Sequence, residues 1–313
     1  MSNFKIVLLG NTGFVGKNVA EEFKERGLIF SCGALSSGLD IRDVNQISAF
    51  LKSEKPDYII NCAAHVGSLN YVTEKAATVI IDNTRMIMSM YEAIATECPK
   101  TIVINPIANC AYPAKADTFV EDHWWDGHLH RSVLSYGATR RMLWATGESF
   151  YMQYGIRSIH LLVPNMYGPY DSTDPNKAHA LNALISKFVK AKQEDKASID
   201  IWGTGIAIRE WLYAKDFARI VCEIIENPTL LGIAEPINIG QNFGLSVREL
   251  VEVIRTTFQY KGDVTWDHSK PDGAPKKVMD DTRFKKVFKD FTFTRFEEGI
   301  SKTVNYYNSI YPY

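Results

Sequence analysis

An apolar run that leads directly into three evenly spaced glycines opens the sequence. The run is Ile6-Val7-Leu8-Leu9, and Gly10, Gly13 and Gly16 follow it as G-x-x-G-x-x-G. Apolar residues then recur at helical spacing up to Gly27. Glycines let the backbone approach a pyrophosphate, and the N-terminus of a helix offers free N–H groups. A strand, a glycine-rich turn and a helix in this order therefore predict a dinucleotide-binding fold.

Composition is that of a globular enzyme with no attraction to nucleic acid. The 313 residues carry 35 basic and 36 acidic side chains, a net charge of -1, and 46% are hydrophobic. We expect no membrane contact, because no apolar stretch approaches the ~18 residues that a span needs. We expect no signal peptide, because the first predicted strand begins at Ile6, and the five cysteines are an odd number and widely spaced. This pattern predicts reduced thiols and a cytoplasmic location.

The first half of the chain alternates strand-like and helix-like segments, which is typical of an α/β fold with a Rossmann-type, doubly wound parallel sheet. Further strands are predicted at 29–32, 58–62, 101–105 and 158–163, and helices at 44–53, 71–97 and 134–154. We assign residues 1–165 to this NAD(P)-binding domain. Residues 166–313 form a smaller C-terminal substrate-binding lobe, rich in proline and short elements. The division is discontinuous, because 199–225 and 236–240 are predicted to return to the main domain.

One tyrosine near the start of a predicted helix has a cation on the same helix face. Arg140 follows Tyr136 by four residues and can reach the phenol, whereas Arg141 is rotated away. A neighbouring cation lowers the pKa of a phenol, and such a tyrosine can exchange a proton with a sugar oxygen. We therefore expect Tyr136 to be a catalytic acid with a lowered pKa.

Several motifs resemble the extended short-chain dehydrogenase/reductases, and within them the GDP-L-fucose synthases. The resemblance spans essentially the whole chain. The motifs are the glycine turn, Ala63-Ala64-His65-Val66-Gly67, Asn109-Cys110-Ala111-Tyr112-Pro113, Tyr136 with Arg140, Asn165-Met166-Tyr167-Gly168-Pro169-Tyr170-Asp171, the segment ending at His179, Trp202-Gly203-Thr204-Gly205 with Arg209-Glu210, and the K-P-D-G element that begins at Lys270.

The resemblance implies a reductase and epimerase of nucleotide-linked 4-keto-6-deoxy sugars, with NADPH as cofactor. It places cofactor contacts at Gly10, Asn11, Thr12, Gly13, Phe14, Val15, Gly16, Asp40, Ile41, Ala63, Ala64, Tyr136, Arg140, Pro164, Asn165 and His179. It places sugar-nucleotide contacts at His65, Val66, Asn165, Lys187, Trp202, Arg209 and Lys270. It also implies a homodimer formed through the helices around 71–97 and 134–154.

A cysteine and a histidine are the acid and base of epimerisation in the resembling family. A 4-keto group acidifies the hydrogens at C3 and C5, so inversion requires one group to remove a proton and another to return it. The matching residues are Cys110 and His179. A free thiol and a free imidazole, with pKa values of about 8.5 and about 6.5, suit this exchange near neutral pH.

Three positions depart from the family pattern. Ala108 stands where the family has a catalytic serine, and it cannot hydrogen-bond a carbonyl; Asn109 could supply a donor instead. Arg140 replaces a lysine, and His65 replaces another. The segment after the second strand is neutral, with neither an acid nor an arginine for the adenosine ribose, so the residues leave NAD(H) open beside NADP(H). The segment 123–130 contains histidines and two tryptophans, and we expect it to be a substrate-facing loop with aromatic packing rather than a metal site, since zinc sites usually need three or four convergent ligands.

The leading hypothesis is an NAD(P)H-dependent reductase with 3,5-epimerase activity on a nucleotide-linked, GDP-bearing 4-keto-6-deoxy sugar or heptose. Two alternatives stay open at this point. One is a reductase without epimerase activity, or a C4 epimerase, acting on a nucleotide sugar. The other is a non-catalytic dinucleotide-binding protein, which the substitutions at Ala108 and Arg140 would permit.

Overall fold

Six parallel strands form the central sheet of the computed structural model, which describes residues 4–116, 118–174, 177–227, 230, 235–269, 272 and 275–313. The strands of the chain are β1 (Ile6–Leu9), β2 (Phe30–Gly33), β3 (Tyr58–Asn61), β4 (Ile102–Ala108), β5 (Ser158–Val163), β6 (Asn165–Tyr167), β7 (Ser198–Trp202), β8 (Ile208–Arg209), β9 (Trp211–Tyr213), β10 (Ile237–Asn238), β11 (Leu245–Ser246), β12 (Asp263–Asp267) and β13 (Lys276–Lys277). The central sheet has the order β10-β5-β4-β3-β1-β2. Strand addition reverses direction beside β1, and parallel sheets bind ligands at such a switch point.

Helices cover both faces of this sheet, as the apolar strands require. They are α1 (Phe14–Glu25), α2 (Val44–Glu54), α3 (Leu69–Glu74), α4 (Ala76–Glu97), α5 (Leu134–Tyr154), α6 (Ala180–Gln193), α7 (Ala214–Glu226), α8 (Val247–Phe258), α9 (Thr282–Val287) and α10 (Phe296–Ile310). Along β1, Ile6 and Leu8 enter one core cluster while Val7 and Leu9 enter another. This alternation shows that β1 is buried on both faces.

The predicted elements of the first half are confirmed with small shifts. The helix predicted at 134–154 has those bounds as α5, and Gly155, with a φ of 70°, ends it in the left-handed conformation. The helix predicted at 71–97 is two helices, α3 and α4. Strand β4 extends three residues further than predicted, to Ala108, and it delivers Asn109 and Cys110 at its carboxyl end.

The smaller lobe contains three short sheets and its own apolar core. Its sheets have the orders β11-β8-β13, β12-β7 and β6-β9. The prediction that 199–202 returns to the main sheet is wrong, because β7 pairs with β12 instead. Alternating exposure along β7 explains this, since a central parallel strand must be apolar on both faces. Strand β10 does join the main sheet beside β5, and α7 packs against α1. The domain boundary itself stays a prediction.

In the part of the chain that the structure describes, no helix combines the length and the hydrophobicity that crossing a bilayer requires.

Candidate active site

The glycine-rich turn brings the ends of β1 and β3 into close backbone contact. A Cβ on Gly16 would lie 2.2 Å from the Gly10 carbonyl oxygen, and one on Gly10 would lie 2.6 Å from the Ala63 nitrogen. Gly10 also has a φ of 76°, which favours glycine. Side chains are therefore excluded at Gly10 and Gly16, which leaves backbone N–H groups and the start of α1 open to an anion.

A crevice of about 610 Å³ opens over this turn. Seven residues predicted to bind the cofactor line it: Gly10, Thr12, Gly13, Asp40, Ile41, Ala63 and Ala64. His65 lines it as well, although the resemblance placed this residue at the substrate. Asn11 faces a neighbouring groove, Phe14, Val15 and Gly16 begin α1, and Pro164 and Asn165 follow β5. The position of the crevice at the switch point of the sheet is that of a dinucleotide site.

A continuous hydrogen-bonded row of side chains forms one wall of the crevice. Arg42 donates to Asp40 at 2.7 Å and to Asp82 at 3.1 Å. His65 Nδ1 lies 2.7 Å from Asp82, and its Nε2 lies 2.8 Å from the Tyr71 hydroxyl. Arg42 lowers the pKa of Asp40. Sequence reasoning missed Asp82 and Tyr71, since only the packing of α3 and α4 brings them to His65.

Tyr136 and Arg140 meet on α5 as their spacing predicts. The guanidinium carbon of Arg140 lies 5.0 Å from the centre of the Tyr136 ring. The expected net lowering of the phenol pKa is wrong, however. Burial raises the pKa of Tyr136 above its ordinary value, and the opposing effect of Arg140 does not cancel it. The phenol is therefore protonated at neutral pH in the free protein, which is the form that donates a proton.

Arg140 is held by an amide on the neighbouring helix. Its Nη2 donates to Asn83 Oδ1 at 3.0 Å, and Asn83 in turn donates to the His65 carbonyl at 2.8 Å. Both side chains are buried, with Asn83 at 0% and Arg140 at 4% exposure. The Arg140 Nε–H is buried without a hydrogen-bond partner in the protein. A buried donor of this kind is costly unless a ligand satisfies it, so Arg140 fits the hydroxyls of a bound dinucleotide.

Cys110 lies against the start of α5, next to Tyr136. A Cβ on Gly137 would lie 2.8 Å from the Cys110 carbonyl oxygen, so glycine is required for this approach. Burial raises the pKa of the Cys110 thiol to about 11, although Arg140 and Lys277 act in the opposite direction. The expectation of an ordinary thiol pKa is therefore wrong for the free protein. Asn109, beside Cys110, is buried at the end of β4.

Arg141 points away from Tyr136, as predicted. Its guanidinium donates to the carbonyl oxygens of Ala111 at 2.8 Å, Gly127 at 2.8 Å and Trp124 at 3.0 Å. It also lies 5.4 Å from the Trp125 ring. One partly buried cation thereby fixes the turn after Cys110 and the aromatic loop to α5.

His179 approaches the glycine turn from the smaller lobe. Its ring centre lies 5.4 Å from that of Phe14 at the start of α1. The Asp171 carboxylate accepts from the His179 backbone N–H at 2.8 Å and lies 3.1 Å from Nδ1. Burial alone would raise the pKa of Asp171, but the bonds from His179 and Asn182 hold it below its usual range. An ionised carboxylate only accepts, so Nδ1 carries the hydrogen and Nε2 is left free.

Two cations of the smaller lobe are neighbours across a strand pair. Arg209 on β8 is in register with Lys277 on β13. Burial lowers the pKa of both side chains, and in Lys277 the adjacent Arg209 adds to the effect. Lys277 also acts electrostatically on Cys110, which places it at the catalytic cluster. Sequence reasoning missed Lys277, although it belongs to the segment that begins with the K-P-D-G element.

The remaining predicted substrate residues are dispersed. Lys187 donates to the Asp200 carbonyl on β7, and burial lowers its pKa. Trp202 ends β7 and is 62% exposed. Asn165 begins β6, and Val66 lies in the segment between β3 and α3. Lys270 lies outside the described residues. No grouping of three or more metal-binding side chains occurs within the described ranges.

Residues 6–240 match the NAD dependent epimerase/dehydratase family, and the chain belongs to this family of nicotinamide-dinucleotide enzymes. Among its relatives, GDP-L-colitose synthase of Yersinia pseudotuberculosis is 30% identical over 97% of both chains. GDP-L-fucose synthase of Escherichia coli is 28% identical over 90% of both chains.

Solved structures give the same fold. A GDP-L-fucose synthetase from Naegleria fowleri, bound to NADP, superposes with a TM-score of 0.88 at 24% identity, over 99% of this chain and 94% of that one. A GDP-6-OMe-4-keto-L-xylo-heptose reductase from C. jejuni superposes with a TM-score of 0.88 at 22% identity, over 99% of each chain. The glycine turn and the unpartnered Arg140 Nε–H fit the dinucleotide that the family name implies.

Proposed function

We propose that the protein is an NAD(P)H-dependent reductase, with 3,5-epimerase activity, of a GDP-linked 4-keto-6-deoxy sugar or heptose. The observation that carries the proposal is the grouping of the buried Arg140 with Tyr136 and Cys110, both partly buried, beside the dinucleotide crevice. Its relatives named as GDP-L-colitose and GDP-L-fucose synthases support the nucleotide-sugar class of substrate. Activated-sugar biosynthesis is the corresponding role.

Reduction requires a proton for O4 as the nicotinamide supplies a hydride to C4. Tyr136 donates that proton, because burial keeps its phenol protonated. Arg140 holds the developing phenolate by charge and, through its free Nε–H, binds a ribose hydroxyl. Asn83 prevents the guanidinium from rotating away.

Epimerisation requires proton exchange on opposite faces of the sugar. Cys110 lies on the α5 side of the site, whereas His179 enters from the smaller lobe with Nε2 free. Because the two groups approach from different elements, the proposal places the sugar ring between them, with one group on each face for removal and return of a proton.

The sugar nucleotide brings a diphosphate, which requires cations. Arg209 and Lys277 are adjacent and partly buried, and Arg209 is otherwise bonded to the carbonyl oxygens of Ile208 at 2.8 Å and Asp272 at 3.1 Å. Burial lowers the pKa of both cations, and a dianionic ligand would offset that effect. We assign the diphosphate to this pair.

One observation favours a reductase without epimerase activity as a second candidate. Ala108 ends β4 without a hydroxyl to hold the 4-keto oxygen. A weakly polarised carbonyl acidifies C3 and C5 less, so proton exchange is the step most affected.

Two signals measured on one reaction separate these activities. The purified protein is incubated with a GDP-linked 4-keto-6-deoxy sugar and NADPH or NADH in deuterated water. Loss of the absorbance of the reduced nicotinamide reports reduction of the sugar, and NMR reports incorporation of deuterium at C3 and C5. We expect both signals. Oxidation without label identifies the reductase alone, label without oxidation contradicts the reductase, and silence on both with cofactor bound favours a non-catalytic protein.

We also propose that α4 and α5 form the interface of a homodimer. Helix α4 exposes Ile81 at 48% and Met88 at 38%, and α5 exposes Tyr151 at 55% and Met152 at 78%. Large apolar side chains repeated along two packed helices are typical of a self-complementary interface. Sedimentation should give a dimer that Ile81→Glu converts to monomer, with Lys52→Glu on α2 as control. A monomeric wild type would contradict the proposal.

The proposed chemistry places the protein in a reducing compartment, the cytoplasm. All five cysteines are free, and proton exchange at Cys110 requires its thiol to stay reduced.

A further inference from the structure

The adenosine end of the crevice lies where β2 ends. In dinucleotide-binding sheets, this loop faces the 2′ position of the adenosine ribose, where an acidic side chain favours NAD and an arginine favours NADP. Here the lining residues are Gly33, Ala34, Leu35 and Ser36. None of these four residues carries a charge.

The cations near this end are either bonded to acidic side chains or line another groove. Arg42 lines the crevice, but its guanidinium is bonded to Asp40 and to Asp82, so the trio has no excess positive charge. Lys17 and Lys24 line a different groove, which they share with Glu21 and Cys32. Among the described residues, no hydrogen bond or ion pair holds a cation toward the 2′ position.

Two hydroxyls stand at this position instead. Ser36 Oγ donates to Thr12 Oγ1 at 2.8 Å, which links the loop after β2 to the glycine turn. Both residues are exposed. A hydroxyl donates and accepts, so it can bond a ribose hydroxyl or a phosphate oxygen, and an exposed phosphate keeps most of its hydration.

We propose that Thr12 and Ser36 form a neutral 2′ subsite that does not discriminate between the two dinucleotides. NADH and NADPH then bind with dissociation constants within about tenfold of each other, because the charged contact that would separate them by roughly tenfold to a hundredfold is missing. The inference rests on the dinucleotide site of the proposed function, but not on its sugar chemistry.

Direct titration tests the proposal without turnover. NADH and NADPH are titrated separately into the purified protein by calorimetry or nicotinamide fluorescence, at low and at moderate salt. We expect a ratio of dissociation constants within tenfold and the same salt dependence for both ligands. A preference greater than tenfold in either direction, or binding of neither ligand, overturns the proposal.

Substitutions at Ser36 should create the missing discrimination. Ser36→Arg should tighten NADPH by about tenfold or more relative to Ser36→Gln, while NADH changes little. Ser36→Asp should weaken NADPH by a similar factor relative to Ser36→Asn. If the charged variants change the affinities for NADH and NADPH by the same factor relative to their neutral controls, Ser36 does not face the 2′ position.

Lys17→Gln tests the nearest rival explanation. If Lys17 swings across to a 2′-phosphate, this variant weakens NADPH alone, and the neutral subsite is refuted. Failure of the two proposals can be told apart. Balanced binding without sugar turnover contradicts only the enzymatic function, whereas turnover with a strong cofactor preference contradicts only the neutral subsite.

Discussion

The two ends of the dinucleotide crevice are built differently. At the adenosine end, exposed hydroxyls of Thr12 and Ser36 stand beside backbone groups of the glycine turn. At the catalytic end, Arg140 is buried and held by Asn83, and Tyr136 and Cys110 beside it are partly buried. Solvent weakens the electrostatic contribution of any one group at the adenosine end, whereas burial strengthens it at the catalytic end. Substitutions should therefore have large effects at the catalytic end and small effects at the adenosine end.

The largest effect is expected at Tyr136. Tyr136→Phe removes the proton donor and should reduce the rate of dinucleotide oxidation by roughly a thousandfold, the range of general acid catalysis. Deuterium exchange at C3 and C5 should persist, since it uses other groups. Tyr151→Phe, on the exposed face of the same helix, is the control. Equal loss of both signals in a folded Tyr136→Phe protein would contradict the division of roles.

Arg140 should come next. Arg140→Met keeps the length of the side chain but removes the charge, and it should slow reduction by about a hundredfold, because a buried charge-assisted contact is lost. Arg140→Lys should recover part of the rate by restoring the cation. The measurement is turnover together with dinucleotide affinity. If Arg140→Met and the wild type react equally fast, the guanidinium is not part of the site.

A smaller effect is expected at Asp171, which positions His179 from behind. Asp171→Asn should slow proton exchange at the sugar by about tenfold and leave hydride transfer nearly unchanged, because the Nδ1–H loses its ionised acceptor. Nitrogen NMR of the imidazole should show a mixture of tautomers in place of one. An unchanged tautomer together with slower exchange would mean that Asp171 acts on the fold rather than on His179.

The last prediction concerns stability rather than turnover, at a buried acid outside both ends of the crevice. Glu210 accepts from the backbone N–H groups of Gln241 at 2.5 Å and Met279 at 2.7 Å, and burial raises its pKa to about 7. The folded protein therefore binds a proton that the unfolded chain releases between pH 4.5 and 7. Stability should fall across this window by about 3 kcal/mol as pH rises, and stay level above it.

Glu210→Gln removes this titration. When the pH rises from 5 to about 7.5, the melting temperature of Glu210→Gln should fall by fewer degrees than that of the wild type. If the melting temperatures of the variant and the wild type change equally between these pH values, the Glu210 carboxyl group is already ionised in the folded protein at pH 5.

The elements of the main sheet were predictable because each depends on local pattern. Four consecutive apolar residues predicted β1, and the helical pattern at 134–154 predicted the bounds of α5. The pairing of β7 was not predictable in this way. Its register with β12 depends on residues more than 60 positions later in the chain.

The residues of the site likewise fall into those that local sequence predicts and those that only the tertiary structure reveals. The Tyr136–Arg140 pair follows from helix geometry, so spacing alone predicts it. Asn83 and Asp82 lie on α4, and only tertiary packing brings them to Arg140 and His65. The direction of the Tyr136 pKa shift also escaped prediction, because the sequence reveals the neighbouring cation but not the extent of burial.

The hydrogen bonds from Arg141 to three backbone carbonyls affect which residues of this enzyme can change without altering its fold. The carbonyl oxygens of Ala111, Trp124 and Gly127 converge on the one guanidinium, so the positions of these residues are fixed mainly by bonds to the main chain. Exposed side chains that Arg141 does not contact can then change while the backbone beneath them keeps its shape. A library randomised at His128, which is exposed, with Arg141 and Trp125 retained would test whether this loop selects the sugar.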